Sequence, residues 1–302
     1  FIMVGFIFAN QIINVNNSNT NLELEQVNQE ILKVNITTGD ITAFSIMTVE
    51  GEFSRLNLTN YHLSKDEGDP ELPEIHNLIE IPQDANPRIE VVTSEYKDYI
   101  LSDYNINSQI YPSQPSLSKS QNPEDVPFII NNNTYLKNEM LQKTMVEIDI
   151  LGQMRALRLA NLLIRPINYN PVSGILRVYT DIEINIHMDN SNVEKTTAIK
   201  NKLQSPYFDV LYNQISNYQS NNRDDMINDP VTYVIITNPI FLNSLNDFIE
   251  WKTQKGYHVI VGNTAEIGSS TSSIKNFIEN LYDNPSNGMP PPSFVLFVGD
   301  IA

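Results

Sequence analysis

Apolar positions in the last part of the chain alternate between strand-length runs and helical stripes. Residues 231–236, 257–261 and 294–298 are nearly unbroken runs of β-branched, aromatic and aliphatic side chains, a pattern typical of strands buried on both faces. Residues 242–249 and 274–281 instead carry apolar side chains three and four positions apart, which predicts amphipathic helices. The order β-α-β-α-β therefore predicts a parallel sheet covered by helices.

Local signals mark the ends of the first predicted helix. Asn238 is a residue type that caps backbone N–H groups, and Pro239 lacks the N–H that would be unsatisfied at the first helical position. Gly256 can adopt the positive φ that commonly ends a helix. These residues predict a helix from 239 to 255.

The preceding two hundred or so residues follow a period of two instead. Short alternating runs between residues 31 and 92 are separated by turn formers such as Gly51, as in antiparallel sheets. In residues 175–186, Ile182, Ile184 and Ile186 share one face of a strand and polar residues share the other. This part of the chain is predicted to be mostly β, with one face of the sheet in water.

Two connecting segments stand out between these strands. Residues 152–155, Gly-Gln-Met-Arg, are predicted to form the turn between strands at 145–150 and 157–164. Residues 111–127 contain four prolines among Ser, Gln and Asn, which predicts an extended surface loop. That loop is either a plain connector or a segment that lies across the cleft of a partner.

The composition argues against several classes of partner and of chemical site. The formal net charge is −17 and the pI is near 4.5, which argues against a nucleic-acid partner because phosphate backbones require clustered Lys and Arg. The chain has no Cys, so it contains no disulfide, thiolate metal site or thiol nucleophile. Its four His residues show no metal-binding spacing, and no metal site is predicted.

The termini of the predicted domains follow from the same patterns. Residues 1–9 are apolar but too few to span a bilayer; they are interpreted as the end of a signal peptide, with a buried strand as the alternative. The Asn-rich residues 10–28 are predicted to form a solvated arm. The predicted organisation is a signal remnant and arm at 1–20, a β-rich domain at 21–222, a polar linker at 223–230 and the α/β domain at 231–302.

Several motifs resemble one known family. Residues 233–237, 251–257, 274–278 and 295–300 resemble the opening of the gingipain-type cysteine peptidase domain. The Gly-Asp-Pro-Glu-Leu-Pro run at 68–73 predicts an exposed turn. This run and the Pro-Ile-Asn-Tyr-Asn-Pro-Val-Ser-Gly run at 166–174 resemble the propeptide of the same family. Together these blocks cover roughly residues 45–302. The resemblance implies a mostly-β propeptide followed by the start of a caspase-like α/β domain.

The function implied by this resemblance is that of an N-terminal fragment of a secreted or cell-surface bacterial endopeptidase zymogen. Its partners would be its own catalytic domain, contacted by a propeptide that inhibits and assists folding, and protein or peptide substrates, with no nucleic acid and no membrane span. The catalytic His and Cys would lie beyond residue 302, so this chain alone would be inactive. Calcium is an expected cofactor of the intact enzyme by the same resemblance. The alternative is a non-enzymatic surface or secretion-associated protein built from the same modules; a His-Gly followed by a Cys further along the gene would favour the enzyme.

Candidate site residues follow from position and from the family. Asp300 ends a predicted parallel strand, where open α/β sheets form their ligand crevice, and could either orient a catalytic partner or cap a turn. Arg223 and Asp224 lie in the predicted linker and are the predicted maturation site, with a linker of no special role as the alternative. By resemblance, a basic side chain of the propeptide could fill the specificity pocket. Lys119 and Arg155 are the two candidates, and the sequence does not choose between them.

Overall fold

The computed structural model describes residues 10–122, 125–141, 143–203, 205–219, 231–285 and 289–299. The chain divides into two compact units: Phe1–Gly152 with Leu159–Asn192, and Gln153–Arg158 with Val193–Ala302. The predicted signal remnant at 1–9 and the predicted linker at 223–230 lie outside the described residues. The linker boundary stays a prediction, and the contact-based division differs from it because residues 193–219 group with the second unit.

The first unit is built mainly from strands. They are β1 (Gln11–Ile13), β2 (Asn21–Asn28), β3 (Ile31–Thr37), β4 (Ile41–Thr48), β5 (Gly51–Asn57), β6 (His62–Leu63), β7 (Pro73–Ile81), β8 (Asn86–Ile100), β9 (Val146–Met154), β10 (Leu157–Ile164), β11 (Ile167–Asn170) and β12 (Ile175–Asp189). A short helix, α1 (Asn132–Tyr135), and a 3-10 turn at Leu101–Tyr104 interrupt them. The strands form sheets in the orders β1-β4-β5, β6-β7-β10-β9 and β11-β12-β3-β2, with β8 also paired to β12.

Strand β12 organises the largest of these sheets. Antiparallel pairing with β8 extends from Ile175↔Ile100 to Asp189↔Asn86. The opposite edge of β12 is shared, because β11 pairs with its beginning and β3 with Asp181–His187. The single strand β12 therefore pairs with β3, β8 and β11 and joins them into one sheet.

Two hydrophobic cores meet on β12. Ile182, Ile184 and Ile186 are at most 2% exposed and belong to a core shared with β3, β7 and β10, which confirms the alternation predicted from the sequence. Leu176 and Val178 belong to a second core, formed with β4, β5 and β11. Burial of these aliphatic side chains is the main stabilising term for both cores.

The predicted solvated arm at 10–28 is wrong. Ile13 is 0% exposed and pairs with Ile41 in the β1-β4 ladder, and β2 pairs with β3. The Asn-rich turn after β1 is held by Asp40, whose Oδ1 accepts backbone N–H groups from Val15 at 2.8 Å and Asn17 at 3.0 Å. Apolar residues at alternate positions of a polar segment were sufficient to form edge strands.

The second unit contains the predicted parallel sheet. Its strands are β13 (Val231–Thr237), β14 (Tyr257–Asn263) and β15 (Phe294–Val298), in the order β14-β13-β15. Both neighbours of β13 run parallel to it. The helices are α2 (Val193–Leu203), α3 (Asp209–Tyr212), α4 (Asn246–Gln254), α5 (Thr264–Ile267) and α6 (Thr271–Asp283), with 3-10 turns at Pro206–Phe208, Pro239–Phe241 and Asn243–Leu245. The mixed fold class predicted from the sequence is confirmed.

Two local predictions need correction. Asn238 does cap the backbone N–H of Ile240 at 3.1 Å, but the predicted helix 239–255 begins with two 3-10 turns and becomes α-helical only at Asn246. The turn predicted at 152–155 lies at Arg155-Ala156, since β9 continues to Met154. Arg155 has φ 50°, an uncommon conformation for a residue with a Cβ.

Candidate functional site

Lys119 lies at the tip of a closed loop. We call residues 115–128 the Lys119 loop. At its neck, the Gln114 side chain spans both strands of the loop: Nε2 donates to the Ile129 carbonyl at 2.8 Å, and Oε1 accepts from the Ile129 N–H at 2.9 Å. At the tip, the Gln121 N–H donates to the Ser118 carbonyl at 3.1 Å. That bond closes a β-turn with Lys119 at its first central position, and the Lys119 side chain is exposed.

The Gly-Asp-Pro motif holds both ends of this loop. The Gly68 N–H donates to the Ser113 carbonyl at 2.8 Å, and its carbonyl accepts from the Asn131 N–H at 2.9 Å. Asp69 Oδ1 accepts hydrogen bonds from Asn131 Nδ2 at 2.8 Å and from Thr134 Oγ1 at 2.7 Å. Gly68 has φ 80°, and a Cβ there would lie 2.9 Å from the Asn131 nitrogen. The motif is therefore a backbone clamp that only glycine fits without strain.

An ion pair between Arg55 and Glu71 lies next to the clamp. The Glu71 N–H donates to the Tyr111 carbonyl at 2.8 Å, and the Glu71 carboxylate lies 2.6 Å from Arg55 Nε. The Arg55 guanidinium stacks 4.5 Å from the centre of the Tyr111 ring. Burial raises the pKa of Glu71, and Arg55 opposes that shift. These contacts fix Tyr111 in the segment that leads into the loop.

The second basic candidate, Arg155, is placed quite differently. Its Nε donates to the Leu203 carbonyl at 2.8 Å and its Nη1 to the Pro292 carbonyl at 3.0 Å. Its guanidinium also lies 4.7 Å from the centre of the Phe208 ring. Burial lowers the pKa of Arg155. Its hydrogen-bond donors are thus engaged within the second unit, whereas the Lys119 side chain is exposed to solvent.

The remaining candidate site residues lie outside the part of the chain that the structure describes. They are Arg223, Asp224 and Asp300. In the second unit, β14 and β15 lie on opposite sides of β13. Ligands in open α/β sheets bind outside the carboxyl ends of the strands at such a switch point. Gly299, exposed just after β15, marks that end of the sheet.

The calcium ion expected for the intact enzyme stays a prediction. Calcium takes about six to eight oxygen ligands, many of them carboxylates. Within the described ranges, no group of three or more His, Cys, Asp or Glu residues is placed to hold a metal.

The geometry defines a class of protein: a β-rich domain with a presented basic loop, followed by a parallel α/β sheet. A family model described as Propeptide_C25 matches residues 14–223, and one described as Peptidase family C25 matches residues 227–302. The chain belongs to this family of gingipain-type peptidase precursors, as a propeptide with the beginning of the catalytic domain.

Curated relatives share the sequence at moderate identity. Lys-gingipain of Porphyromonas gingivalis is 31% identical over 264 residues, which cover 86% of this chain and 15% of that protein. Gingipain R2 of the same organism is 22% identical over 295 residues, covering 93% of this chain and 38% of that protein. The chain thus spans about 15% of the length of the Lys-gingipain that it matches.

Solved structures resemble the fold. One, described as "Structural insight into zymogenic latency of gingipain K from Porphyromonas gingivalis", has a TM-score of 0.57 at 26% identity, covering 61% of this chain and all (100%) of that chain. Another, described as "Complex of Porphyromonas gingivalis RgpB pro- and mature domains", has a TM-score of 0.53 at 20% identity, covering 66% of this chain and 98% of that chain. The second likeness shows the fold alone.

The sequence does not indicate that Gly68 and Asp69 hold the two ends of the Lys119 loop. The sequence predicts a turn at Gly68-Asp69 and an extended loop in the Pro-rich segment. The neck residue Gln114 carried no local signal, because its partner Ile129 is fifteen positions away. The role of Gln114 is therefore visible only in the folded loop, where its side chain contacts Ile129.

Proposed function

We propose that the chain is the latency-conferring front part of a secreted cysteine endopeptidase zymogen. The observation that carries the proposal is the order of the two family matches, propeptide at 14–223 and peptidase at 227–302. The nucleophile would be a thiolate activated by a neighbouring His, which attacks the peptide carbonyl. Because this chain has no Cys, that thiolate would come from a part of the precursor outside this sequence.

The proposed role of the propeptide is to contact its own catalytic domain and block the substrate cleft. Lys119 is the side chain best suited to fill a specificity pocket, since it is exposed at the tip of a loop whose neck and base are hydrogen-bonded. A loop fixed before binding loses less conformational entropy on docking than a flexible one. We propose Lys119 for this role and a structural role for Arg155.

The proposed location is the cell exterior, because residues 1–9 are interpreted as the end of a signal peptide. No helix in the described part of the chain is long and apolar enough to cross a membrane. Proposed substrates are proteins or peptides, and the net charge of −17 disfavours nucleic acid as a partner.

Peptide hydrolysis by the matured full-length precursor tests the activity. We expect hydrolysis that is abolished by a thiol-alkylating reagent and unaffected by a serine-directed one. Hydrolysis that survives complete alkylation, or no hydrolysis of any peptide in a mixed library, would contradict the proposal.

The inhibitory role is tested by titrating the matured enzyme with propeptide carrying Lys119→Ala. We expect the inhibition constant to weaken by about 30-fold or more, as for a side chain anchoring the centre of an interface. Arg88→Ala is the matched control, since Arg88 is exposed and pairs only at the surface with Asp189. Equal potency of the two variants would remove Lys119 from the pocket.

A further inference from the structure

The second unit combines residues from both family matches. Residues 153–158 and 193–219, which we call the anchor segment, fall in the propeptide match at 14–223. They nevertheless group with residues of the peptidase match in one compact unit. The contacts that hold the anchor segment there are specific.

Arg155 is the first of these contacts. Its guanidinium binds the carbonyl of Leu203, the last residue of α2, and the carbonyl of Pro292, just before β15. Its Nη2 also lies 3.2 Å from Ser293 Oγ, which donates to Ser205 Oγ at 3.0 Å. One side chain therefore joins two parts of the anchor segment to the entry of a catalytic-domain strand.

Tyr207 provides a second, aromatic contact. Its ring stacks on Tyr257 with centroids 5.7 Å apart and meets the edge of Phe294 at 5.0 Å. The two tyrosine hydroxyls are hydrogen-bonded to each other. Aromatic pairs with this geometry stabilise an interface beyond the area that they bury.

Both contacts lie at the same edge of the parallel sheet. Tyr257 is the first residue of β14, Phe294 is the first residue of β15, and Pro292 precedes β15. These are the amino ends of the strands, whereas substrate crevices of such sheets form at the carboxyl ends. The anchor segment therefore occupies the edge opposite the expected active site.

We infer that the anchor segment is an exosite that keeps the cleaved propeptide bound to the catalytic domain, independently of the Lys119 loop. The inference rests on the proposed zymogen function. It assigns inhibition and retention to different residues: Lys119 fills the pocket, and Arg155 with Tyr207 holds the propeptide at the far edge of the sheet.

Retention after cleavage can be measured without any peptidase activity. In the full-length precursor, residues 223–230 are replaced by the recognition sequence of an external protease, and the chain is cut. We expect the two pieces to co-elute in size-exclusion chromatography. Arg155→Asn and Tyr207→Ala should each speed their dissociation by about 10- to 100-fold, as expected for loss of a charged or aromatic anchor. Asn is chosen for position 155 because it tolerates the positive φ.

The controls separate this inference from the proposed function. Lys119→Ala should weaken inhibition while the two cut pieces still co-elute, because the anchor segment is intact, and Arg88→Asn should leave both inhibition and co-elution unchanged. Tyr207 is 48% exposed, so Tyr207→Ala still tests the exosite if Arg155→Asn fails to fold. The inference is overturned if the wild-type pieces separate on cutting, or if every folded anchor variant dissociates at the wild-type rate. Absence of peptide hydrolysis would refute the proposed activity and leave the retention result standing.

Discussion

Replacing Gly68 by alanine tests the clamp at the base of the Lys119 loop. The residue has φ 80°, and a Cβ would lie 2.9 Å from the Asn131 nitrogen and 3.1 Å from Ile129 Cγ2. The left-handed conformation costs an alanine about 1–2 kcal/mol, and displacing packed neighbours costs about 1–3 kcal/mol more. Gly68→Ala should therefore lower the free energy of unfolding by about 2–5 kcal/mol.

Gly174→Ala is the matched control. Gly174 also has a positive φ, 63°, but no atom lies within 4 Å of its added Cβ. Only the conformational term then applies, and the expected loss is about 1–2 kcal/mol. The difference between the two variants isolates the close approach of Gly68 to Asn131.

Urea unfolding followed by two signals measures this difference. The chain has one tryptophan, Trp251 in α4 of the second unit, so its fluorescence follows that unit. Far-UV circular dichroism at a strand wavelength mainly follows the β-rich first unit. Both glycine variants should shift the dichroism transition and leave the fluorescence transition in place. Equal shifts for Gly68→Ala and Gly174→Ala would refute the clamp.

Three further predictions follow from the same contacts. Gln114→Ala should weaken propeptide inhibition of the matured enzyme by about 3- to 30-fold, because two neck hydrogen bonds are lost; unchanged inhibition would mean that the neck does not position Lys119. N-terminal sequencing of the matured enzyme should give a first residue next to Arg223-Asp224, and a first residue outside 219–232 would exclude this site. Hydrogen bonding to Arg177 lowers the pKa of Asp98, so this pair contributes stability above the unfolded-state pKa of Asp and loses it as the pH falls through the lower folded-state pKa. Asp98→Asn should cost less than about 1 kcal/mol at pH 7, since the pair is partly exposed, and the cost should shrink in acid urea titrations; a cost that grows in acid would contradict the sign.

Regular patterns could be predicted from the sequence, and long-range contacts could not. The alternation of Ile182, Ile184 and Ile186 predicted the buried face of β12, and the apolar runs predicted the parallel sheet. Both patterns repeat a local preference over many residues. The Asn-rich start of the chain was missed because its few apolar residues, including Ile13, gain their stability only from strand partners such as β4.

The candidate site shows the same limit. The Pro-rich composition predicted the Lys119 loop, and the Gly-Asp-Pro run predicted a turn. The predicted hairpin turn, 152–155, begins too early, because Gly152 is the residue type that tolerates φ > 0, yet the turn lies at Arg155-Ala156. Arg155 has a positive φ and donates hydrogen bonds to the carbonyls of Leu203 and Pro292. Because these partners are distant in the sequence, the local sequence does not predict the turn at Arg155.

Strand β12 has a consequence for how the first unit comes apart. Each of its hydrophobic cores rests on a different stretch of this one strand. Melting either core would release the strand that the other needs, so the unit has no smaller part able to persist alone. We expect all-or-none loss of the first unit, visible as simultaneous hydrogen–deuterium exchange of β3 and β11 under denaturing conditions.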